Sequence, residues 1–249
     1  MLKKIFLFSF LLTNYAYGFI SIEPLVPGEK EEITGEVAIG SKYSAGNTNA
    51  TSLGLGGKIE YTQEDWLLYL LAAQSYQETD SQRDQNNGHL HFRYLQNLNS
   101  TLYSYELFFQ TEFDEFQDIK QRNLLGANIR KKLELPFDKF YVGLGVFYSY
   151  IEPSSVNALD PIRKDIYGNS YISFLKKINE NFFITYLGYY QPNSEDLSDF
   201  RISQTVQLNT SITKQFTLGL DISHNYNSKP YKQIEKSDTE SMVNLKYKF

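Results

Sequence analysis

The chain has 249 residues, which one β-barrel can use completely, so its length does not call for a second domain. A formal net charge of −5 gives no overall basic field, which argues against nucleic acid as a partner. The absence of cysteine excludes a disulfide framework, and three histidines are too few for a rich metal cluster, so we predict no cofactor and no metal.

The first 18 residues predict a secretory signal peptide. A pair of lysines precedes an apolar run over residues 5–12, and the small-x-small triplet Ala16-Tyr17-Gly18 follows it. The run is far shorter than the roughly 18 apolar residues that a membrane-spanning helix needs. We therefore predict export with cleavage near Gly18, rather than an N-terminal membrane anchor.

Residues 19–33 are predicted to form an extended periplasmic lead-in to the first strand. They contain Pro24, Pro27 and a group of glutamates, a composition typical of irregular structure. We assign no chemistry to this segment.

From residue 34 to the last residue, the dominant period of hydrophobicity is two, which indicates β-strands. One strand shows the pattern well, because Leu53, Leu55 and Ile59 share one face while Gly54 and Lys58 share the other. Five further strands are equally clear, around residues 89–94, 103–110, 140–150, 216–223 and 243–249. Six less regular strands lie around residues 37–43, 66–76, 124–131, 167–175, 182–190 and 202–212. The total of about twelve is even, as in single-chain bacterial outer-membrane barrels.

The predicted connections alternate between short and long. The short ones are residues 62–65, 97–99, 178–180 and 213–215, with 132–138 somewhat longer. The long polar ones are residues 44–50, 78–84, 111–118, 153–162, 191–199 and 227–238. Outer-membrane barrels have short periplasmic turns and longer external loops, so this alternation predicts that both chain ends lie in the periplasm.

Two soluble alternatives, a lipocalin-like barrel and a β-sandwich, would use the apolar faces as a dry core. In either one, glycines such as Gly54, Gly143 and Gly219 would weaken solvent-exposed strands without benefit. Aromatic residues make up 16% of the chain although its mean hydropathy is negative, which suits rings at lipid interfaces around a wet lumen. We therefore predict that residues 34–249 form an all-β, antiparallel transmembrane barrel of about 12 strands with up-and-down topology. Its location is the outer membrane of a Gram-negative cell, with lipid as its partner.

The C-terminal strand is predicted to guide assembly and to close the barrel. Tyr247 and Phe249 end an apolar alternation, and we interpret them as the signal that the barrel assembly machinery recognises. Because an open sheet edge cannot persist in lipid, the last strand must pair with the first. This closure predicts an ion pair across the seam between Glu36 and either Lys246 or Lys248.

The polar alternates predict the lining of the lumen. Charges of both signs point inward, so they form either ion pairs that fill a closed interior or the wall of a narrow aqueous path. Phe108, Tyr141 and Phe147 also point inward, which favours a constricted lumen over a wide one. The mid-strand charges Glu106 and Asp221 are both acidic, with the basic residues nearer the periplasmic end, which predicts only slight ion selectivity. The candidate lumen-lining residues are Glu106, Asp221, His89, His91, Arg93, Arg130 and Lys58.

Histidine supplies the two candidates for chemistry. His224 lies beside Ser223, but adjacent strand residues point to opposite faces and cannot form a catalytic dyad. His89 and His91 share a face, but the sequence offers no evident further ligands for a metal. We therefore predict that the protein is not an enzyme.

Residues 40–55 resemble the first hairpin of the YdiY-like family, also called salt-induced outer membrane proteins. Members of that family carry a small-Gly-Asn-Thr turn between two strands, as Gly46, Asn47 and Thr48 do here, and Ala45 stands where a serine is common. The resemblance implies a barrel over nearly the whole mature chain. It implies no substrate, because members of the family have no assigned activity, and Gly and Asn are also what a tight reversal needs.

Two functions remain open at the level of sequence. Wide porins usually need 16 or more strands, so about twelve strands predict at most a narrow, weakly selective pore for small solutes or ions. The alternative is a structural or surface-binding barrel that does not conduct.

Overall fold

The computed structural model describes residues 22–28, 32–44, 50–79, 82–98, 102–157, 159–231 and 234–249. The regular structure of these residues is twelve β-strands and one 3₁₀ turn, Glu115–Gln117. The strands are β1 Glu32–Ser44, β2 Ala50–Thr62, β3 Trp66–Thr79, β4 Gln82–Asn97, β5 Tyr103–Asp114, β6 Ile119–Lys132, β7 Lys139–Pro153, β8 Arg163–Lys177, β9 Phe182–Pro192, β10 Phe200–Ser211, β11 Phe216–Asn227 and β12 Ser237–Lys248. The predicted signal peptide and the turn at Gly46, Asn47 and Thr48 lie outside the described residues.

Each strand pairs antiparallel with the next along the chain, and β1 pairs with β12, so the sheet closes on itself. The predicted all-β, up-and-down barrel of twelve strands is confirmed. An even number of strands brings the start of β1 and the end of β12 to the same end of the barrel. We call this the terminal end and the opposite end the distal end.

The strand faces place apolar side chains outside and polar side chains inside. On the outer surface Leu144 is 70% exposed and Leu125 64%, whereas the inward Asn128 and Ser149 are 4% and 0% exposed. A soluble barrel with a dry core would show the opposite arrangement, so both soluble alternatives are wrong. Outward residues of this kind are Val37, Ile39, Leu53, Leu55, Ile59, Leu70, Leu90, Leu107, Ile129, Val146, Leu218, Val243 and Leu245.

Among the helical residues that the structure describes, none belongs to a helix long and apolar enough to cross a membrane.

Two connections predicted to be long loops are short in the structure. Strand β3 continues to Thr79 and β4 begins at Gln82, so most of residues 78–84 belongs to strands. Strand β5 continues to Asp114, whose Oδ1 accepts hydrogen bonds from two backbone N–H groups of the 3₁₀ turn, both at 3.1 Å. For residues 111–118 the prediction failed because polar residues that face a wet lumen, here Glu112 and Asp114, have the composition of a loop.

Small residues inside the barrel make room for large rings. A Cβ atom added at Gly143 would overlap the ring of Tyr171, and one at Gly126 would lie 2.5 Å from Phe108 and 2.6 Å from Phe147. The rings of Phe147 and Tyr167 stack with centroids 5.4 Å apart. The glycines therefore leave space that neighbouring rings refill, and the lumen is constricted.

The seam between β1 and β12 is shorter than the other strand pairings. It extends from Glu36 opposite Lys248 to Ser41 opposite Val243. Beyond it, Gly35 and Phe249 exchange backbone hydrogen bonds of 2.9 and 3.0 Å, and the ring of Phe249 lies directly against Gly35. The last residue therefore extends the seam at the terminal end.

Candidate functional site

A buried carboxylate, that of Glu106, organises a polar cluster inside the lumen. Its Oε2 accepts a hydrogen bond of 2.8 Å from the Tyr171 hydroxyl and one of 3.2 Å from Asn128 Nδ2. Its Oε1 lies 3.8 Å from an Arg93 nitrogen and 3.7 Å from an Arg130 nitrogen. The sequence analysis placed both arginines toward the periplasmic end and Glu106 in the middle of its strand. In the structure Glu106 is the fourth residue of β5 from the terminal end and lies beside both arginines, so the expected separation of this acid from the basic residues is wrong.

Arg93 also spans the lumen. Its Nη2 donates a hydrogen bond of 3.3 Å to the hydroxyl of Tyr189, and β4 and β9 are five strands apart in a ring of twelve. Phe108, Tyr141 and Phe147 are 7%, 4% and 1% exposed, as inward rings are expected to be. The barrel is therefore too obstructed at this level to be a wide channel.

A second polar network lies on β10, β11 and β12. Lys246 is 1% exposed, and its Nζ lies 3.0 Å from Asn209 Oδ1 and 3.7 Å from Asp221 Oδ1. Gln207 Nε2 donates to the other oxygen of Asp221 at 2.9 Å. The second predicted mid-strand acid is thus also held beside a cation.

The residues of the predicted seam pair lie on adjacent strands. Glu36 is directly opposite Lys248 across the β1–β12 seam and directly opposite Lys58 across β1–β2. Lys58 forms an ion pair of 2.9 Å with Glu60. The register is the one that the predicted closure needs, and the ion pair of Glu36 with Lys246 or Lys248 stays a prediction.

Residues 22–28, which the sequence analysis left without contacts, lie against the inner wall near the terminal end. The backbone N–H of Ile22 donates to Gln207 Oε1 at 3.1 Å. Lys248 Nζ lies 3.1 Å from Glu23 Oε1, and Lys139 Nζ donates to the carbonyl of Pro24 at 3.4 Å. An irregular segment has no periodicity, so no sequence pattern predicted its docking. We call residues 22–28 the inner segment.

The inner segment separates two cavities of the lumen. One cavity, of about 340 Å³, extends toward the distal end, and we call it the outer cavity. The other, of about 500 Å³, lies at the terminal end beside Glu36, Lys58 and Phe249. Residues 23–25 line both. The inner segment is therefore a partition across the lumen.

The histidines have conventional partners. His89 and His91 both line the outer cavity, and His91 Nδ1 lies 2.9 Å from Gln110 Oε1. Among the described residues no group of three or more His, Cys, Asp or Glu side chains could hold a metal ion. His224 contacts Thr239 at 2.9 Å, whereas the adjacent Ser223 contacts Thr205 at 3.1 Å on the opposite, inward face.

The sequence analysis did not identify several charged residues that point into the lumen. Arg122 Nη1 lies 2.7 Å from Glu112 Oε1, and Arg201 lines the same cavity from β10. Glu112 falls in a stretch predicted to be a loop, and Arg201 falls one residue before a predicted strand. The alternation of Arg201 with Ser203 and Thr205 was the available signal.

The distal loops contact one another above the outer cavity. Arg163 of β8 donates to the carbonyl of Lys229 at 2.6 Å, and its guanidinium lies 4.1 Å from the ring centroid of Tyr231. Lys229 also binds Asp196, and this hydrogen bond lowers the pKa of Asp196 to about 2. Loops from three hairpins therefore partly cover the distal entrance.

Comparisons with known proteins give a family and a fold. Residues 37–249 match the family described as "Protein of unknown function, DUF481". The NanC porin is similar with a TM-score of 0.52 and 13% identity, over 86% of this chain and 98% of the porin. The COG4313 outer membrane channel from Pseudomonas putida F1 is similar with a TM-score of 0.50 and 11% identity, over 90% and 99%. No curated protein matches the sequence significantly. The structural likeness shows that the chain has the barrel fold of outer-membrane proteins.

Proposed function

The chain belongs to the DUF481 family of proteins of unknown function, and from that premise we propose that it is a narrow, weakly selective outer-membrane pore for small solutes or ions, not an enzyme. The observation that carries the proposal is the pair of cavities inside one closed barrel, which share residues 23–25 as a common wall. Moving one short segment would join them into a path.

In this proposal residues 1–18 are removed as a signal peptide and the terminal end faces the periplasm. The resemblance of residues 40–55 to the YdiY-like hairpin supports the same location. The outward apolar surface contacts lipid, and the barrel assembly machinery inserts the chain.

Weak selectivity follows from the pairing of the inward charges. Glu106 lies between Arg93 and Arg130, and Asp221 lies beside Lys246. An ion that passes these residues therefore meets positive and negative charges that are paired with each other. Strong ion selectivity instead requires a ring of charges of one sign.

The ion pair between the inner segment and β12 is weak. The side chains of Lys248 and Glu23 are 41% and 24% exposed, and an ion pair this accessible to water contributes about 0.2–1 kcal/mol. Displacing the segment breaks no strand pairing of the barrel. We propose that its movement opens the pore.

Purified full-length mature protein in planar bilayers tests this function. We expect small conductance steps, a longer open time in Glu23→Gln, and altered ion preference in Glu106→Gln. Lys120→Gln is the matched control, because Lys120 pairs with Glu152 on an exposed surface away from the lumen. A pore whose open time is the same in Glu23→Gln and Lys120→Gln contradicts the role of the inner segment.

One observation favours the second candidate, a structural or surface-binding barrel that does not conduct. The Arg93–Tyr189 hydrogen bond spans the lumen independently of the inner segment. A barrel that inserts but never conducts, in wild type and in Glu23→Gln alike, establishes this second function over the first.

A further inference from the structure

Arg201 is a cation inside the barrel that forms no ion pair with the described residues. It lies near the distal end of β10, lines the outer cavity, and places its guanidinium 5.2 Å from the ring centroid of Tyr167. In the part of the chain that the structure describes, no carboxylate lies within the 4.0 Å of an ion pair with it. Its Nε and Nη1 are both buried without a hydrogen-bond acceptor. Donors of this kind are costly to bury, so their position requires an explanation.

Arg201 has one cation and two carboxylates in its surroundings, Arg122, Asp199 and Glu112, and among the described residues neither carboxylate lies within ion-pair distance of it. Arg122, four strands away on β6, lines the same cavity and its charge repels that of Arg201. Glu112 forms an ion pair of 2.7 Å with Arg122. Arg122 Nε is also buried without an acceptor. Arg201 therefore remains without an ion pair or hydrogen bond of its own, although carboxylates lie in its surroundings.

The nearest carboxylate along the chain, Asp199, attracts Arg201 but forms no ion pair with it. Asp199 Oδ2 accepts hydrogen bonds from the Tyr167 hydroxyl at 3.0 Å and from Asn193 Nδ2 at 3.3 Å. The other oxygen of Asp199, Oδ1, is buried without a hydrogen-bond partner, and Arg201 lies over the ring of Tyr167. Asp114, another acid of this cavity, is occupied by the backbone of the 3₁₀ turn.

The remaining walls suit a small polar solute. The cavity volume of about 340 Å³ lies within the usual range of small-molecule sites, roughly 300–1,000 Å³. Tyr189 and Tyr226 present aromatic surface, and Asn169 and Gln191 present amides. A guanidinium group binds a carboxylate or a phosphate through charge-assisted hydrogen bonds, and Arg201 lines this cavity with a guanidinium that has no acceptor for its Nε and Nη1.

We propose that the outer cavity binds a small solute with a carboxylate or phosphate group, which Arg201 holds and which Arg122 attracts as a second cation. The site rests on the proposed function only in requiring that solute reach the lumen from the distal end. The proposal specifies the class of solute that the pore would admit, which is a small molecule with a carboxylate or phosphate group.

Calorimetric titration of the purified full-length mature barrel in detergent tests the site without requiring conduction. The probes are gluconate, glucose 6-phosphate and glucose, which distinguish a carboxylate, a phosphate and an uncharged molecule of similar size. We expect at least one of the two anions to bind and glucose not to bind. Loss of the guanidinium in Arg201→Gln should weaken anion binding at least about tenfold, as for a charge-assisted hydrogen bond.

Two further variants separate binding from folding. Arg201→Lys keeps the charge and should retain part of the affinity, while Lys120→Gln should leave it unchanged. Failure of both anions to bind, equal binding of glucose, or equal affinity in Arg201→Gln would overturn the site. A barrel that binds an anion but never conducts would support the anion site and contradict the proposed pore. A barrel that conducts but binds neither anion would support the pore and contradict the site.

Discussion

Gly143 shows how one absent side chain shapes the lumen. The space above it is filled by the ring of Tyr171, whose hydroxyl donates to Glu106 at 2.8 Å. We predict that Gly143→Ala pushes Tyr171 away from Glu106 and lowers the free energy of unfolding by about 1–3 kcal/mol, as overpacking of an interior usually does. The measurement is the urea dependence of the heat-modifiable folded form in detergent.

Gly57→Ala is the matched control for that substitution. A Cβ atom at Gly57 would meet its nearest neighbours, Glu36 O and a Val37 methyl carbon, at ordinary distances of 3.6 and 3.7 Å. Its stability should stay close to that of wild type. Equal destabilisation by both alanines would mean that glycine acts through backbone freedom and not through the room it leaves for Tyr171.

The pair formed by Lys246 and Asp221 is expected to behave as a coupled unit. Lys246→Met leaves a buried carboxylate without its cation and should cost about 3–5 kcal/mol, whereas the double variant with Asp221→Asn should cost less than the two single changes added together. A double-variant cycle in urea gives the coupling. Strict additivity would show that the 3.7 Å contact carries no energy.

Inward charges were predictable one residue at a time, but their partners were not. Alternation along a strand identifies Glu106 as inward. That Tyr171 from β8 reaches it depends on distances around the closed barrel, which no local pattern contains. Arg201 was missed for a simpler reason, because it lies one residue outside a predicted strand.

At the scale of elements, the strands were predictable because lipid on one side and water on the other enforce a period of two. The lengths of the connections were less predictable. Residues 111–118 contain Glu112 and Asp114. Their polar composition predicts a loop, but both side chains belong to β5 and face the lumen. Strand ends are therefore ambiguous wherever an outer-membrane barrel faces water on the inside.

The seam gives a prediction about assembly. Deleting Phe249 removes the two backbone hydrogen bonds with Gly35 and the ring that covers it, so we expect a marked fall in heat-modifiable barrel in the outer membrane. Gly35→Val removes the space for the ring but keeps the C-terminal residue. Loss of assembly in both variants supports a role in closing the seam, loss only on deletion supports recognition by the assembly machinery, and normal levels in both refute either role.

Orientation in the membrane is testable because the chain has no native cysteine. Single cysteines at Thr79 and Ser194, near the distal end, should react with an impermeant maleimide added to whole cells. Cysteines at Thr62 and Thr213, near the terminal end, should react only after the cells are broken. The reverse labelling pattern would show that the terminal end faces outward.

For the whole molecule, the sequence predicted a constricted interior but not what divides it. The rings on β5 and β7 were identifiable from alternation, whereas the inner segment lies in a stretch of prolines and glutamates with no period to interpret. Its docking includes contacts with residues that are more than a hundred positions away along the chain.

The most direct test of the proposed pore is to fix the inner segment and record the current. The double variant Glu23→Cys, Lys248→Cys replaces two side chains whose ends meet at 3.1 Å, so a short bismaleimide can bridge them. The control is the same double variant treated with N-ethylmaleimide, which modifies both thiols without joining them. In planar bilayers we predict frequent conductance steps in the unbridged protein and their near-complete loss in the bridged protein. Equal conductance in the two forms would contradict the claim that the inner segment closes the lumen.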